Sequence, residues 1–472
     1  METESYKRSS NATLKAPIGV QILVNNICNH SCFYCSSGAV QQEESSNKYS
    51  AMSNENAYEF VDIISRDINP YYAVCTGGEP TLSMKPLSAL MMGFKQKNIP
   101  THLNTNLTAV SGEEFNDLIL LLKRCNSSVL TSLPHYDGAV YKKITSKDDI
   151  NLFYNNLNSL ISEDINITVN MVVHKLNHKD VYHTGKLLFE KYGLKNFAAT
   201  PLVVSSNNLF PNKNIVLKPD ELFDVFRDLL RLNSDLNMQV DCLEVIPRCS
   251  IPEDIRYNAS GLFKRACSAG SSTLLIDYLG FIRPCSFFPE VNDDKYNILK
   301  TPFSEIWEYL KPYRDNEHIS DECKTCYEIE DCNGGCRVFG VDKDGFTGSD
   351  SRITGPIFKT AKNEIEKLSP NNIYSFNKDM KFRKEQRDIY TFFNGQISNR
   401  SSIIFVTYGF KQFCENFIKE TRNYFTLDDV VNAAGVENKE KITELMKYLL
   451  QKKYIYPANK HDLTTSSEPL GE

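Results

Sequence analysis

The chain reads as an α/β protein on a parallel sheet, with a cysteine-rich extension and a small C-terminal helical domain. Three observations predict this. Between Ile18 and Asp235, six short apolar runs alternate with longer amphipathic stretches, and βα units in series pair as parallel strands. From Cys267 to Cys336 that alternation stops and six cysteines take its place. Past a charged, irregular stretch, residues 389–472 return to strand, helix and short-helix signals.

The predicted strands are Val20–Val24, Tyr71–Thr76, Thr101–Asn104, Val129–Leu133, Ile167–Val173 and Phe197–Val204. The predicted helices are Asn54–Arg66, Pro86–Lys97, Glu113–Arg124, Asp149–Ser162 and Lys179–Tyr192. Ser53 and Ser111 stand at N-cap positions, and Pro219 opens a further helix at its first turn. This pattern suits a barrel or a doubly wound sheet equally. Cys75 and Cys125 fall inside a strand and a helix and read as small buried hydrophobes.

Length and composition narrow the class. The 472 residues suit two or three domains, and 41% hydrophobic with 24% charged residues is ordinary for a soluble protein. Met1–Pro17 is polar, without the apolar segment of a signal peptide, and no apolar run is long enough to span a bilayer. Fourteen cysteines without export features point to the cytoplasm, where clustered thiols hold metals rather than disulfides. A net charge of −6 argues against a general nucleic-acid binder.

The chemistry concentrates after the first strand. Cys28, Cys32 and Cys35 give the spacing CxxxCxxC, with Tyr34 before the third thiol, and Gly77-Gly78-Glu79-Pro80 follows the second strand. Thiolates suit iron–sulfur clusters, and three of them on a four-iron cluster leave one iron open to a small molecule. Zinc would need a fourth nearby ligand; His30 is a candidate but lies inside the ligand loop. The two motifs together resemble the signature of the radical S-adenosylmethionine (radical SAM) superfamily. That resemblance implies a partial (β/α)6, TIM-like barrel over residues 1–235, with the chemistry at the C-terminal ends of the strands. It implies a [4Fe–4S] cluster on Cys28, Cys32 and Cys35 whose free iron chelates S-adenosylmethionine, so that one electron releases a 5′-deoxyadenosyl radical. It also implies that Gly77, Gly78 and Glu79 bind the methionyl amino group, that Tyr34 faces the adenine, and that Asn104 and Ser132 contact ribose or carboxylate. His135, Tyr136 and Asp137 lie at the mouth of the fourth strand, where a substrate-side acid or base would stand. A loop histidine is more often solvated than catalytic, and none of the three is assigned that role.

The second cysteine field runs Cys267-x12-Gly280-x4-Cys285, then Cys323-x2-Cys326-x5-Cys332-x3-Cys336, with Gly334-Gly335 supplying a turn. It resembles the SPASM extension, which carries up to two auxiliary [4Fe–4S] clusters, and is expected over residues 236–360. The resemblance implies that Cys323, Cys326 and Cys332 hold one cluster and Cys267, Cys285 and Cys336 the other. A seventh cysteine expected near Gly348–Arg352 is absent, which leaves Asp350, substrate or nothing as fourth ligand of the first set. Cys249 and Cys242 are candidates for the fourth ligand of the second. Auxiliary clusters can take an electron from a product radical, which makes the net reaction an oxidation.

Residues 361–388 read as a linker and 389–472 as a winged-helix-like domain: strand Ser401–Tyr408, helices Phe410–Tyr424, Thr426–Ala434 and Asn438–Lys452, strand Tyr454–Pro457, and a disordered tail from Leu463. Asp428, Asp429, Glu440 and Glu444 nearly cancel its lysines, so leader-peptide recognition at a sheet edge or plain packing is favoured over DNA. The expected protein is a radical SAM/SPASM maturase that crosslinks or oxidises a precursor peptide. It would take electrons from a flavodoxin or ferredoxin. The alternatives are an anaerobic sulfatase-maturating type of protein oxidase and an iron–sulfur DNA-binding regulator.

Overall fold

The structure, a computed structural model, describes residues 14–35, 40–41, 51–203, 213–258, 262, 265–314, 319–342, 345–346, 350–357, 372–385, 388–395, 403–421, 423–434 and 439–458. These form two compact units. One holds the described residues from Ala16 to Ile357; the other holds those from Asn372 onward together with Leu14 and Lys15. The tail from Leu463 lies outside the described residues.

The larger unit is built on a nine-stranded sheet. Its strands are β1 (Gly19–Leu23), β2 (Tyr72–Thr76), β3 (Thr101–Thr105), β4 (Ser128–Ser132), β5 (Ile167–Val173), β6 (Asn196–Pro201), β7 (Gln239–Asp241), β8 (Thr273–Ile276) and β9 (Ile282–Arg283). From β1 to β7 each strand pairs in parallel with the next in sequence. A doubly wound sheet would reverse strand order within the run of βα units. From β1 to β7 the order never reverses, and β8 comes back only after all seven to the free side of β1, where a barrel's last strand would close, so the partial TIM-like barrel stands and the doubly wound alternative falls.

Local sequence explains the connecting helices. They are α1 (Asn54–Ile63), α2 (Met84–Gln96), α3 (Gly112–Cys125), α4 (Gly138–Thr145), α5 (Ile150–Ser162), α6 (Val181–Tyr192) and α7 (Pro219–Leu236). Ser53 caps α1 by accepting from the Asn56 N–H, and Pro219 sits in the first turn of α7, where a missing N–H costs nothing. Ser111 stands at the N-cap of α3 without a side-chain capping bond. Val20, Ile22, Ala73, Leu103, Val169 and Phe197 have no exposed surface and form the sheet side of the core. Each such large side chain contributes about 1.5–3 kcal/mol of burial.

Two expectations change here. The alternation does not end before Cys267: Thr273–Ile276 joins the sheet beside β1 in parallel, and Ile282–Arg283 folds back on it. Three apolar residues between a Ser-Ser-Thr run and an aspartate carry too little periodicity to announce a strand. Leu14 and Lys15, read as part of the barrel, belong to the C-terminal unit, where the Lys15 N–H donates to Glu385 Oε2 at 2.9 Å.

In that unit β10 (Tyr374–Phe376), β11 (Lys381–Lys384), β12 (Ile389–Phe393) and β13 (Ile403–Thr407) precede α8 (Tyr408–Thr421), α9 (Leu427–Ala434), α10 (Lys439–Gln451) and β14 (Ile455–Pro457). The three helices and last strand come in the expected order. The segment read as a linker is not one throughout: β10 pairs with β14, and β11 pairs with β12. Tyr374, Phe376 and Phe382 supply the apolar faces, a period-two signal diluted by the lysines around it.

Candidate functional site

Cys28, Cys32 and Cys35 lie on the loop that leaves the C-terminal end of β1, and α4, the start of α5 and the segment after β3 hold it. The Ser31 and Phe33 N–H groups donate to the carbonyls of Thr145 and Ile144 at the end of α4. His30 is buried. Its Nε2 lies 3.0 Å from Asp149 Oδ2 and 2.8 Å from Thr108 Oγ1, while the Tyr141 hydroxyl donates to Asp149 Oδ1 at 2.9 Å. Burial opposes ionisation of Asp149, but hydrogen bonds from His30 and Tyr141 prevail and hold its carboxyl below the usual range. His30 therefore anchors the loop and is not a metal ligand.

Beside the thiols, Glu79 is almost fully buried. Its Oε1 accepts from the Thr81 N–H (3.1 Å), Thr81 Oγ1 (2.6 Å) and Thr105 Oγ1 (2.7 Å), and its Oε2 accepts from the Asn106 N–H at 2.6 Å. Burial raises its pKa, against these donors. The Gly78 and Glu79 N–H groups donate to the carbonyls of Asn25 and Ile27, so the GGEP turn is clamped to the start of the thiol loop. A Cβ at Gly77 would lie 2.7 Å from Asn25 Oδ1 and 2.8 Å from its carbonyl oxygen, which is why glycine stands there. Asn106 Nδ2 donates to Asn29 Oδ1 at 2.7 Å and approaches Cys28 Sγ at 3.8 Å, and the His30 N–H reaches the same sulfur at 3.4 Å. Burial, then the Glu79 charge, pushes the Cys28 thiol up to about 12, and Cys32 also moves up. Such thiols stay protonated unless a metal takes the proton's place.

Tyr34 lies close to Ser132, whose Oγ has no hydrogen-bond partner among the described residues, so these two predicted contacts come together, and the Tyr34 ring lies 5.7 Å from His174. Asn104 lies one strand over, on β3, half-buried. His174 follows β5 directly and is fully buried; its Nδ1 accepts from the Leu176 N–H at 3.2 Å, which leaves the hydrogen on Nε2. That Nε2 has no partner among the described residues, and burial keeps the ring neutral by pulling its pKa down to about 4. His135 pairs with Asp180 at 3.2 Å and Asp137 caps α4, so both serve the fold.

In the second field the six cysteines fall into two groups. Cys267, Cys285 and Cys336 share a site with Glu244, a buried carboxylate whose pKa burial pushes up to about 7. Arg337 is buried beside them. It donates to the carbonyls of Cys267, Ala269 and Tyr313, and no carboxylate pairs with it among the described residues. Cys323, Cys326 and Cys332 form the second group, and Cys249 belongs with them, not with the first. Asp350 is committed elsewhere: it accepts from the Cys336 N–H at 2.8 Å and from the Arg352 guanidinium at 2.7 and 2.9 Å. Cys242 is buried, its sulfur 3.9 Å from the Glu244 carbonyl.

A family model described as the radical SAM superfamily matches residues 22–188, the span that carries the thiol loop and the GGEP turn. The chain carries a radical SAM domain. No curated protein matches the sequence. Among solved structures, this chain is similar to Streptococcus suis SuiB bound to S-adenosylmethionine, at 16% identity and a TM-score of 0.56, covering 72% of this chain and 78% of that one. It is similar to SuiB bound to the precursor peptide SuiA, at 15% and 0.57, covering 73% and 77%. It is also similar to anSMEcpe with AdoMet and the Kp18Cys peptide, at 18% and 0.53, covering 71% and 93%. At such identities the likeness is one of fold.

The donors of the radical SAM domain suit a cluster better than a single ion. Among the described residues no three His, Cys, Asp or Glu side chains converge on one metal-sized point, whereas a cubane spreads its ligands over four irons. The uncompensated Arg337 suits an anionic thiolate-bound group, since a buried cation without a counter-charge is costly. Asn104-Thr105-Asn106 stands out in the sequence as a polar run at a strand end, but Asn25, Thr108, Asp149, His174 and Glu244 do not. Each is a single polar residue that acquires meaning only when the strands align.

Proposed function

We propose that this radical SAM enzyme modifies a peptide or protein substrate oxidatively, forming a crosslink or a related new bond, with auxiliary clusters in a SPASM-like arrangement taking up the surplus electron. The observation that carries the reading is the presence of three separate thiol groups, one at the barrel mouth and two in the extension. Its support is the similarity to SuiB bound to its precursor peptide SuiA and to anSMEcpe bound to AdoMet and the Kp18Cys peptide.

A cluster and S-adenosylmethionine bound there would supply one-electron chemistry and hydrogen-atom abstraction from substrate. Cys28, Cys32 and Cys35 would hold three of its irons. Glu79 Oε2 carries one donor and keeps lone-pair capacity for an ammonium group. Tyr34 would line the adenine side, with Ser132 and Asn104 on the ribose side, and the unpartnered His174 Nε2–H would offer a further donor. In the C-terminal unit β13 is an edge strand among the described residues, paired on one side with β12. Its free side is where an extended leader peptide would add. A flavodoxin or ferredoxin would deliver the electron.

The test uses cluster-reconstituted protein, S-adenosylmethionine and a reductant, with peptides encoded beside the gene. The expected result is 5′-deoxyadenosine from the wild type, none from Cys32→Ala, and a peptide lighter by two hydrogens. Wild-type protein that forms no 5′-deoxyadenosine would overturn the reading and return the regulator.

A further inference from the structure

We propose that Cys249 is the fourth ligand of the cluster held by Cys323, Cys326 and Cys332, a thiolate supplied from upstream where none is available downstream. This rests on the auxiliary-cluster reading above. Four irons of a cubane take four ligands, and Cys323, Cys326 and Cys332 leave one open. Of the other cysteines, three serve the barrel loop, three the Glu244 group, and Cys75, Cys125, Cys242 and Cys414 are buried in strands, helices or core. Cys249 alone is left, and it is partly exposed.

Its position is fixed from three sides. Cys249 sits in the single turn Arg248–Ser250. The backbone N–H of Arg248 donates to the Cys332 sulfur, and the Arg248 guanidinium pairs with Glu328 between Cys326 and Cys332. On the other side, the segment after Asp350 reaches both thiols. The Thr354 N–H donates to Cys249 Sγ at 3.4 Å, Thr354 Oγ1 donates to the Cys249 carbonyl at 2.7 Å, and the Ile357 N–H donates to Cys326 Sγ at 3.2 Å. The Tyr327 N–H closes the frame on the Ile357 carbonyl at 2.9 Å. The Cys249 sulfur is close enough to those of Cys323 and Cys332 for their charges to interact. Asp350, the rival ligand, has its oxygens committed to Arg352 and to the Cys336 N–H. Binding replaces the thiol proton with iron, so one proton is released and no electron moves. Backbone N–H donors already aimed at Cys249, Cys326 and Cys332 are the outer contacts that orient sulfur ligands and set cluster potential.

The test uses full-length protein with Cys28, Cys32 and Cys35 replaced by alanine, reconstituted anaerobically with ferrous iron and sulfide. That background should hold about eight irons per chain as two cubanes. Adding Cys249→Ala should remove between one and four irons and abolish or shift one of the two signals of the reduced protein in electron paramagnetic resonance. Cys249→Ser, which keeps an oxygen ligand, should retain iron but shift the same signal, and Cys242→Ala should change neither. An unchanged iron count and spectrum in Cys249→Ala, or an unchanged spectrum in a folded Cys249→Ser, overturns the assignment while leaving the auxiliary clusters in place. A background without iron overturns both.

Discussion

Replacing Asp149 by alanine should destabilise the larger unit by about 3 kcal/mol, through the loop that carries the first three thiols. Asp149 receives two hydrogen bonds from nearly buried donors, His30 at 3.0 Å and Tyr141 at 2.9 Å. A hydrogen bond to a charged group is worth about 1.5–3 kcal/mol, and an orphaned buried hydroxyl costs about 1–3 kcal/mol. His30 keeps Thr108 at 2.8 Å, so only Tyr141 is orphaned, and the Asp149 side chain is 22% exposed, which trims the ionic part. Asp149→Asn keeps an acceptor for Tyr141 and should cost about half as much. The carboxyl's folded pKa is depressed, so its contribution is full above the ordinary value of 3.8 and is lost as pH falls through the folded value. Urea unfolding of cluster-free protein should therefore show a wild-type-to-variant gap that is complete at neutral pH and shrinks below 3.8. Iron uptake by the loop should weaken in parallel. A gap under about 0.5 kcal/mol at neutral pH, the range of an ordinary surface substitution, would refute the anchoring role.

Gly77→Ala should cost about 1–3 kcal/mol in thermal unfolding, because its Cβ would meet the Asn25 backbone at 2.8 Å; full tolerance would show that the turn can shift. His174→Phe keeps the ring packed on Phe33 but removes the Nε2–H, so calorimetry should show S-adenosylmethionine binding weaker by about tenfold, and unchanged binding removes His174 from the site.

The strands were legible because apolar β-branched runs between turn-formers carry their own signal: Ile167–Val173 appears as read, and the other five differ at their ends. Strand order was not legible, since it depends on which backbones pair; Gly19 is flanked by Tyr72 on one side and Thr273 on the other, the second far along the chain. The thiols declared themselves through spacing. His30 shows the limit of that signal: inside the ligand loop it reads as a metal ligand or a bystander, and only Asp149, brought over from the start of α5, decides the matter. Asn106 is the same case. It lies two residues beyond Asn104, and the register of β3 against β2 places it, with Glu79, beside Cys28.

The two thiol regions should answer differently to loss of iron. Around Cys28 the loop hangs on a nine-stranded sheet whose core owes nothing to metal. Around Cys267 the buried apolar cluster among the described residues is small, Cys267, Ala269 and Phe288, with Cys285, Tyr313 and Val338 partly buried against it, and the elements from Asp321 to Gly340 are single turns. So little apolar burial does not offset the entropy of ordering such a loop, and polar clamps such as Arg248–Glu328 give modest net help. Metal binding free energy then becomes folding free energy in this region. Hydrogen exchange after anaerobic chelation should show residues 321–340 losing protection while the central strands β1 to β5 keep theirs. Equal protection in both regions would mean that the extension folds before it meets its clusters, and that its thiols wait in place as a preformed site.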